Sequence, residues 1–465
     1  MQRPESKPTY PHVYATTTSS ILSAFGSRYV LPKGTLRNHL EVSRLTRAYY
    51  YVRGLIEPCT QDYEEVIIPV VQQAAPVAGE RRVGINEFDA FARPVFDGYQ
   101  SLNRVQSLVF DVAYKSNENM LVCAPTGAGK TDIAMMTVLR TLRQYMDDDT
   151  RRLRKEDFKI IYVAPMKALA SEVVAKFSKR LKSLNLQVHE LTGDMQMTKN
   201  EIMKTQMIVT TPEKWDVITR KGTGDVALVQ KVKLLIIDEV HLLHDERGSV
   251  IESLVARTLR QVEATQSLIR IVGLSATLPN YVDVAQFLRV NPMVGMFYFD
   301  NGFRPVPLGQ QFIGVKGAHM KQVLKMNQVC YDKTVQMVRQ GHQVMVFVHS
   351  RRDTVKTAQT QRELARDKNE SELFRSKDPR FQYWLQMVHK SQNKELKELF
   401  PHGFAMHHAG MSLFRFDIRS TFSNTVEVCL GLTGISLKGC SPRGQYAFLC
   451  VRPHWRGAST YRHMR

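Results

Sequence analysis

A run of small residues that ends in lysine and threonine, from Ala124 to Thr131, has the composition of a loop that binds nucleotide phosphates. Its members are Ala124, Pro125, Thr126, Gly127, Ala128, Gly129, Lys130 and Thr131. The glycines let backbone N–H groups turn towards phosphate oxygens, and the helix that follows directs its positive N-terminal end at them. Lys130 would contact the β- and γ-phosphates, and the Thr131 hydroxyl would bind Mg²⁺. Because an apolar strand precedes the loop and a helical pattern follows it, a chance glycine turn is disfavoured and the sequence predicts a nucleoside triphosphate site.

Two carboxylates, Asp238 and Glu239, directly follow the apolar run KLLII. An aspartate at a strand end can hold Mg²⁺, and the adjacent glutamate can orient and deprotonate an attacking water molecule. An acidic surface turn would have the same composition, but the phosphate loop upstream disfavours that alternative. Lys130, Asp238 and Glu239 are therefore the candidate catalytic residues, and Thr131 and Asp238 are the candidate Mg²⁺ ligands. The reaction that these residues predict is hydrolysis of ATP.

Further polar groups could act on the same nucleotide. Gln106 precedes the phosphate loop, and its amide can pair with both the N6 donor and the N7 acceptor of adenine. A glutamine on the surface of a helix remains the alternative. Ser275 and Thr277 follow the apolar run IRIVGL and would link the γ-phosphate site to a second domain. As a lone tripeptide, Ser-Ala-Thr is a weak signal, because hydroxyl residues are common where strands end.

Small and hydroxyl residues also occupy strand ends or loops at 164–170, 191–194 and 210–213. Next to helix N-termini, such residues can donate backbone N–H and hydroxyl groups to the backbone of a nucleic acid. Ordinary turns and helix caps use the same residues, so each stretch alone leaves both interpretations open. In this order along one chain, the stretches favour nucleic-acid binding.

The strands and helices that must position these groups alternate between 120 and 276. Apolar, strand-like runs cover 120–125, 159–165, 206–212, 233–239 and 269–276, and helical patterns cover 132–146, 168–184, 213–220 and 250–266. Near-continuous apolar strands joined by helices predict an α/β fold with a parallel sheet covered on both faces. Ligands of such a sheet gather at the carboxyl ends of the strands, where the motifs above are found.

Changes in composition and in the hydrophobic pattern divide the chain into four parts. They are an N-terminal extension, partly ordered, at 1–84; a first α/β domain at 85–302; a linker and partial second α/β domain at 303–411; and a divergent basic tail at 412–465. YEEVIIP at 63–69 is predicted as a short strand of the extension. The stretch 303–317 contains prolines and is predicted as the linker, and a strand at 343–350 begins the second α/β unit.

The composition suits an acidic macromolecular partner. The 465 residues include 64 Lys and Arg against 44 Asp and Glu, which gives a net charge of +20. This excess favours nucleic acid as a partner, although solubility alone could account for it. The 6 cysteines have no metal-binding spacing and are expected as free thiols in a reducing compartment. No signal pattern and no apolar run of about 20 residues occurs, so we expect a soluble cytoplasmic protein, with the nucleus as a second location, and no membrane partner.

Taken together, the ordered motifs resemble those of a known family. APTGAGKT, APMKALA, LTGD, TTPEKWD, DEVHLLHDERG, GLSATLPN, VFVHSRRDT and MHHAGM are similar to the motifs of Ski-type superfamily-two helicases of the tandem-cassette subgroup. DEVHLLHDERGSVIESLVARTLRQVEATQ and FLRVNPMVGMFYFDNGFRPVPLGQQF resemble the branch that contains the helicase subunit of the activating signal cointegrator complex and the fungal ribosome-quality-control trigger helicase. A spliceosomal branch is the next candidate. The resemblance extends over residues 85–411.

This resemblance implies a RecA-like fold in both α/β domains, ATP and Mg²⁺ as cofactors, and translocation in the 3′-to-5′ direction. It implies adenine recognition by Gln106 and assigns the coupling of hydrolysis to movement to His241, Ser275 and Thr277. The residues in motifs that contact nucleic acid in the family are Pro165, Lys167, Gly193, Thr211, His349 and Arg351. The implied partners are single-stranded nucleic acid, RNA before DNA, and subunits of the ribosome or of the cointegrator complex.

The resemblance ends near Met411. In the family, a segment with threonine and tryptophan and a QxxGRAGR-like segment with an arginine finger would follow, and neither is found in the sequence after Met411. We therefore expect a chain that is truncated or frameshifted there, with a specialised short protein as the alternative. The unmatched stretch at 39–62 raises the same expectation of a fault. As written, the chain would bind ATP and hydrolyse it slowly, because an arginine finger contributes about 10³ to 10⁵ in rate.

These observations leave functions of different classes to compare. The first is the cassette of an ATP-dependent RNA or DNA helicase. The second is a module that binds ATP and nucleic acid without catalysis, which the missing arginine segment favours for this chain as written. A small phosphate-loop kinase or a transporter ATPase is disfavoured, because DEVH is followed by SAT and no transporter-type signature occurs.

Overall fold

Strands and helices alternate along the chain in this computed structural model, which describes residues 10–14, 36–38, 63–68, 71, 73, 75–76, 80–147, 149, 152–193, 198–220, 228, 230–315, 319–348, 350–375, 381–390, 392–407, 426–430 and 446–450. In chain order the strands are β1 Val13–Tyr14, β2 Leu36–Asn38, β3 Tyr63–Ile68, β4 Met120–Cys123, β5 Lys159–Val163, β6 Val188–Leu191, β7 Met207–Thr210, β8 Val232–Ile237, β9 Arg270–Ser275, β10 Met296–Phe299, β11 Gln310–Val315, β12 Gln343–Val348, β13 Phe404–His407, β14 Val426–Leu430 and β15 Tyr446–Cys450. The α-helices are α1 Arg104–Phe110, α2 Lys130–Gln144, α3 Lys167–Arg180, α4 Lys199–Lys204, α5 Pro212–Arg220, α6 Gly248–Thr265, α7 Tyr281–Phe287, α8 His319–Arg339, α9 Arg351–Asp367, α10 Phe381–His389 and α11 Lys394–Leu399. Each strand and helix that the sequence predicts between 120 and 276 is present, with ends shifted by a few residues.

The larger sheet is parallel and buried on both faces. Its strand order is β1-β10-β4-β9-β8-β5-β7-β6, and all neighbouring strands run parallel. Successive residues of β4 enter different cores: Val122 shares one with Ile133 of α2, whereas Leu121 shares the other with Leu254 of α6. Because helices cover both faces, the strands are apolar at nearly every position. The predicted α/β fold with a parallel sheet is confirmed.

Three strands of this sheet, β1, β6 and β10, are not predicted from the sequence. β1 is only 2 residues long, and β6 (VHEL) is polar at its centre, so neither has a strand signal of its own. β10 has the sequence MFYF, a short run with no alternation of apolar and polar residues. Val13 and Tyr14 pair with β10, where the rings of His12 and Phe297 stack with centroids 4.6 Å apart. Part of the predicted extension therefore belongs to the first sheet.

Two smaller sheets are formed by the other described strands. β11, β3 and β2 form an antiparallel sheet, which confirms the strand predicted at 63–69 and shows that part of the stretch predicted as a linker is a strand. β13, β14, β12 and β15 form a parallel sheet. β14 and β15 come from the stretch 412–465, for which the sequence predicts only a basic tail. Their sequences, VEVCL and YAFLC, contain valine, tyrosine and phenylalanine, which favour strands.

The described residues fall into two compact units, one within Met1–Val30 and Val70–Leu308 and the other within Leu31–Pro69 and Gly309–Arg465. The domain limits predicted at 84, 302 and 411 stay predictions. The predicted insert at 39–62, most of the stretch 412–465 and the candidate residue His349 lie outside the described residues. None of the described helices is both long and apolar enough to cross a membrane.

Candidate nucleotide and nucleic-acid site

The strand order of the larger sheet brings the predicted motifs to one edge. Because all of its strands are parallel, their carboxyl ends share that edge. The phosphate loop follows β4, and the Ser-Ala-Thr motif begins at the end of β9. Asp238 and Glu239, called the acidic motif below, follow β8. β9 lies between β4 and β8, with Ser275 in register with Cys123 of β4. The loops after β5, β7 and β6, which contain predicted nucleic-acid residues, continue the same edge.

The phosphate loop turns from β4 into α2 through glycines in the left-handed region of backbone conformation. Gly127 has a φ of +88° and Gly129 has a φ of +83°, which favour glycine over other residues. A Cβ atom on Gly129 would also lie 2.3 Å from the Nε2 atom of Gln106. Lys130 begins α2, and its Nζ donates a hydrogen bond to the carbonyl of Ala124 at 2.9 Å. The lysine ammonium is thus held against the predicted phosphate loop.

The other residues of the loop differ in exposure. Ala124, Pro125 and Ala128 are buried, whereas Thr126 is exposed at the tip of the turn. Thr131 lies in the first turn of α2 and is also buried. The backbone N–H of Ala128 donates to the carbonyl of Pro125 at 3.2 Å, which closes the turn.

Gln106 is buried, and its amide is bonded to the phosphate loop and to its own helix. Its Nε2 donates to Oδ2 of Asp132 at 3.0 Å and to the carbonyl of Gly129 at 3.3 Å. Its Oε1 accepts from the backbone N–H of Asn103 at 2.9 Å, while Oδ1 of Asn103 accepts from the N–H of Gln106 at 2.8 Å in a capping box. Asp132 also pairs with Arg180 at the end of α3. A surface glutamine is excluded, and adenine recognition, which would require the amide to exchange partners, stays a prediction.

Asp238 is fixed on both its backbone and its side chain. Its Oδ2 accepts a hydrogen bond from the Tyr162 hydroxyl at 2.6 Å, and its Oδ1 accepts from the N–H of Glu239 at 3.0 Å. Its own N–H donates to the carbonyl of Val163 at 3.0 Å. Burial, followed by the negative charge of Asp238, raises the pKa of Tyr162 well above its usual value. The hydroxyl therefore stays protonated and acts as the donor.

Glu239 has an uncommon backbone conformation for a residue with a side chain. Its φ is +53° and its ψ is +47°, in the left-handed region, directly before a short 3₁₀ helix, Val240–His244. Such a conformation costs about 1–3 kcal/mol and persists where the surroundings fix it, often at functional sites. The conformation is consistent with the predicted role of this carboxylate.

His241 connects the acidic motif to the Ser-Ala-Thr motif. Its Nδ1 accepts a hydrogen bond from the backbone N–H of Ala276 at 3.3 Å. Burial, followed by the charge of Lys130, lowers the pKa of His241 and so favours the neutral ring that can accept. Because Nδ1 is then the acceptor, its 3.4 Å distance from Oε2 of Glu239 is a contact rather than a hydrogen bond.

The hydroxyls of the Ser-Ala-Thr motif differ in their surroundings. Ser275 is fully buried, and its Oγ has no hydrogen-bond partner among the described residues. Thr277 is half-buried at the edge of the sheet. An unsatisfied buried hydroxyl between β4 and β8 is uncommon in a folded protein and suits a position next to a ligand.

The predicted nucleic-acid residues of the first unit follow β5, β6 and β7. Lys167 is exposed at the start of α3, and a Cβ atom on Gly193 would lie 3.5 Å from its Nζ. The loops after β5 and β6 therefore approach each other. Thr211 is buried, and its carbonyl accepts from the N–H of Trp215 at 3.1 Å in the first turn of α5.

Arg247 connects three of the motifs and is not among the site residues predicted from the sequence. Its Nη1 donates to the carbonyl of Pro165 at 2.7 Å, and its Nε lies 3.4 Å from Oε1 of Glu213. Pro165 belongs to the loop after β5, Glu213 to α5, and Arg247 directly precedes α6. Tyr162 was missed as well. The available signals were an arginine within DEVHLLHDERG and a polar hydroxyl within the apolar run KIIYVAP.

The remaining two candidates belong to the second unit. His349 lies outside the described residues, and Arg351 is the first residue of α9. Ser350 caps this helix by accepting a hydrogen bond from the N–H of Asp353 at 3.1 Å. The carboxyl end of β12 therefore leads directly into α9, as the loops of the first unit lead into their helices.

Comparison with known proteins relates the chain to helicases. Residues 103–284 match the family described as DEAD/DEAH box helicase. Activating signal cointegrator 1 complex subunit 3 of Homo sapiens is 52% identical over 407 residues, which cover 86% of this chain and 18% of that protein. RQC trigger complex helicase SLH1 of Saccharomyces cerevisiae is 52% identical over 415 residues, which cover 87% of this chain and 20% of that protein. The chain thus spans a fifth or less of the length of these curated relatives.

Solved structures support the same fold. The crystal structure of DUF1998 helicase MrfA bound to DNA has a TM-score of 0.54 and 17% identity, and the match covers 79% of this chain and 47% of that one. The same helicase bound to DNA and AMPPNP gives a TM-score of 0.50 and 18% identity, with 69% and 43% coverage. Similarity at this level of identity concerns the fold alone. Together with the parallel sheet, it agrees with the predicted RecA-like fold.

Proposed function

The chain belongs to the Ski-type helicases and contains a DEAD/DEAH box helicase domain, and from this we propose that it is an ATP-hydrolysing cassette that acts on single-stranded nucleic acid. The observation that carries the proposal is the adjacency of β4, β9 and β8, which brings the Lys130 loop, Ser275 and Asp238 to one edge of the sheet. RNA is the first candidate substrate and DNA the second.

Each group at this edge would have a separate task. Backbone N–H groups of the phosphate loop and the Lys130 ammonium would bind phosphates. Lys130 now donates to the carbonyl of Ala124, an acceptor that it can exchange for a phosphate oxygen. Glu239 would orient and deprotonate the attacking water, and His241 would connect that event to Ala276.

The oxygen donors at the edge suit Mg²⁺, which is the cation we propose to accompany ATP. Thr131 offers a hydroxyl and Asp238 a carboxylate, and Mg²⁺ prefers such hard oxygen ligands together with phosphate oxygens. The unsatisfied hydroxyl of buried Ser275 between them supports a polar ligand nearby. When bound, the cation would neutralise charge that develops on the phosphates.

The nucleic-acid path that we propose follows the loops after β5, β6 and β7. Lys167 supplies a positive charge next to Gly193. Because glycine has no side chain, the backbone of a nucleic acid could approach closely at this position. Pro165 and Thr211 lie on the two loops next to α3 and α5, whose N-termini favour phosphate groups. The net charge of +20 supports a polyanionic partner. Within the second unit, His349 and Arg351 stay proposed nucleic-acid residues on the strength of the family resemblance alone.

The names of the relatives suggest the biological setting. One relative is a subunit of the activating signal cointegrator 1 complex, and another is the helicase of the RQC trigger complex. We propose that this chain acts in a similar assembly, with ribosomal or cointegrator-complex subunits as partners and with a cytoplasmic or nuclear location. Adenine selection by Gln106 belongs to the same proposal.

Steady-state ATPase assays of the 465-residue chain test the proposal. They are run alone, with single-stranded RNA and with single-stranded DNA, beside the Glu239→Gln variant. Because no arginine-finger segment is found after Met411, we expect turnover to be slow. We expect RNA to stimulate this turnover and the variant to lower it by about 10²-fold or more, with nucleotide binding retained. Nucleotide binding without turnover in the unchanged chain would instead favour a non-catalytic binding module. Equal stimulation by DNA would remove the preference for RNA.

A further inference from the structure

Tyr162 donates a hydrogen bond to Asp238, and this contact has no role in the function proposed above. The hydroxyl of this residue in β5 donates to Oδ2 of Asp238 at 2.6 Å, directly after β8. β5 and β8 are neighbours in the sheet, and Val163, the next residue of β5, accepts the backbone N–H of Asp238 at 3.0 Å. Two successive residues of β5 thus hold both the backbone and the side chain of Asp238.

Together, these hydrogen bonds restrict the orientation of the carboxylate. Oδ1 of Asp238 accepts from the N–H of Glu239 at 3.0 Å, and Oδ2 accepts from Tyr162. With one donor on each oxygen, rotation of the carboxylate about its terminal bond would break both hydrogen bonds. Each oxygen retains a second lone pair that can face a ligand. The carboxylate is therefore oriented before any cation binds.

Packing alone does not require a tyrosine at this position. The Tyr162 ring is fully buried and lies 5.8 Å from the ring of Phe177 of α3, centroid to centroid. A phenylalanine would fill the same space against α3 without burying a hydroxyl. A buried hydroxyl lowers stability unless it is hydrogen-bonded, and here its acceptor is the candidate cation ligand.

We propose that Tyr162 is a positioning residue that fixes the Asp238 carboxylate for the Mg²⁺ that accompanies the nucleotide. The inference rests on the proposed function, because it requires Asp238 to be a ligand of that cation. Removing a group that is hydrogen-bonded to a metal ligand commonly lowers metal affinity by about 10- to 100-fold. Tyr162 would therefore act on the cation through Asp238, without touching the nucleotide.

The chain offers a matched control for this contact. Tyr331 of α8 is also buried, and its hydroxyl donates to Oε2 of Glu370 at 2.6 Å, the same distance as in the Tyr162–Asp238 pair. Its ring lies 6.2 Å from Phe374, centroid to centroid. Both residues of this second pair belong to the second compact unit and are not candidate site residues. A tyrosine-to-phenylalanine change there removes the same chemical group from another buried tyrosine whose acceptor is a carboxylate.

The experiment measures binding of a fluorescent, non-hydrolysable ATP analogue to the full chain as a function of Mg²⁺ concentration and in EDTA. The variants are Tyr162→Phe, Asp238→Asn and Tyr331→Phe. We expect Tyr162→Phe to raise the Mg²⁺ concentration for half-maximal binding by about 10-fold or more, with binding in EDTA changed less than about twofold. Tyr331→Phe should match the unchanged chain, and Tyr162→Phe should add nothing in the Asp238→Asn background.

The outcomes separate this inference from the proposed function. A Mg²⁺ dependence that Asp238→Asn alters and Tyr162→Phe leaves unchanged would overturn only the role of Tyr162. Binding that is independent of Mg²⁺ in the unchanged chain and in Asp238→Asn would overturn the proposed metal site together with this inference.

A second measurement covers the case in which Tyr162→Phe does not fold. 3-Fluorotyrosine is placed at position 162, and in a control chain at position 331, and the ¹⁹F signal is followed during Mg²⁺ titration of the nucleotide complex. We expect the signal from position 162 to move with Mg²⁺ and the signal from position 331 to stay. A signal at 162 that does not respond to Mg²⁺ would refute the role of Tyr162.

Discussion

The backbone N–H of Ala276 donates a hydrogen bond to Nδ1 of His241 at 3.3 Å, and so joins the loop after β9 to the loop after β8. His241 lies two residues after Glu239, the proposed base, and Ala276 lies between Ser275 and Thr277. If phosphates bind at this edge as proposed, this hydrogen bond would transmit a change in one loop to the other. The contact depends on an unprotonated Nδ1, which makes it sensitive both to substitution and to pH.

Replacing His241 should separate nucleotide binding from turnover. In His241→Ala the N–H of Ala276 loses its acceptor, and we expect RNA-stimulated ATPase to fall about tenfold, because one hydrogen bond contributes about 1–1.5 kcal/mol. The affinity for the nucleotide should stay within about twofold, since no proposed phosphate ligand is removed. His241→Gln keeps a side-chain acceptor and should retain more of the activity. Equal losses of affinity and turnover in His241→Ala would contradict the coupling role.

The same hydrogen bond predicts an acid limit for activity. Burial and the charge of Lys130 lower the pKa of His241 below its usual 6.5, so the ring is neutral and accepts at pH 7. The stabilisation by the neutral ring is therefore present above pH 6.5 and is lost as the pH falls through the lowered pKa. We expect the rate of RNA-stimulated ATP hydrolysis to decrease as the pH falls below 6.5, and we expect His241→Gln not to show this decrease. The same decrease in both proteins would show that another group titrates.

Local sequence predicted the strands and loops of the first unit well, because a strand buried on both faces needs apolar residues at nearly every position. The phosphate loop and the acidic motif follow such strands directly, so their placement at the carboxyl edge needed only the assumption of a parallel sheet. The strands β6 and β1 lack that pattern and were missed. β14 and β15 were not predicted, because the stretch that contains them was interpreted as a basic tail.

Contacts between motifs could not be predicted, because they depend on the order of strands in the sheet. Tyr162 and Asp238 are 76 residues apart, and Arg247 and Pro165 are 82 residues apart. These pairs meet because β5 lies next to β8, and no local pattern determines which strands are neighbours. The resemblance to a family supplied motifs whose residues are expected to touch ligands, whereas Tyr162 and Arg247 contact those residues rather than a ligand.

Lys167 should contribute a single phosphate contact to RNA binding. For a single strand, each neutralised phosphate changes the slope of log affinity against log salt by about 0.7, so Lys167→Met should reduce that slope by about this amount. Lys182, an exposed lysine beyond the other end of α3, provides the matched control Lys182→Met. Fluorescence anisotropy with labelled single-stranded RNA at several salt concentrations measures both slopes. An equal change in the two variants would indicate a general effect of charge rather than a contact at Lys167.

Arg247 should hold the loops after β5 and β7 in the arrangement that we propose for RNA binding. Arg247→Ala removes the donor to the Pro165 carbonyl and the contact with Glu213, and we expect RNA affinity to fall about five- to tenfold. Nucleotide affinity in the absence of RNA should change little, because neither partner belongs to the phosphate loop. Arg260→Ala, at an exposed arginine of the same helix α6, is the control. Unchanged RNA affinity in Arg247→Ala would show that these loops keep their arrangement without the arginine.

The pair between Arg180 and Asp132 should stabilise the first unit and order the phosphate loop. Both side chains are largely buried, with 13% and 11% exposure, and Asp132 also accepts from Gln106, which in turn donates to the carbonyl of Gly129. Arg180→Met leaves the carboxylate without its cation, which should cost about 3 kcal/mol and weaken nucleotide binding. Thermal unfolding and nucleotide titration measure the two effects.

The double variant Asp132→Asn with Arg180→Met tests whether the unpaired charge is the cause. Removing both charges should recover part of the thermal stability that Arg180→Met alone loses, because no buried carboxylate remains unpaired. Arg81→Met, which removes the cation of the exposed Arg81–Glu87 pair, is the control. It should leave the midpoint temperature of unfolding unchanged, since exposed ion pairs contribute little to stability. If the midpoint temperature of unfolding of the double variant is no higher than that of Arg180→Met, the loss of stability comes from packing of the Arg180 side chain. The guanidinium of Arg180 lies 4.8 Å from the centre of the Phe96 ring.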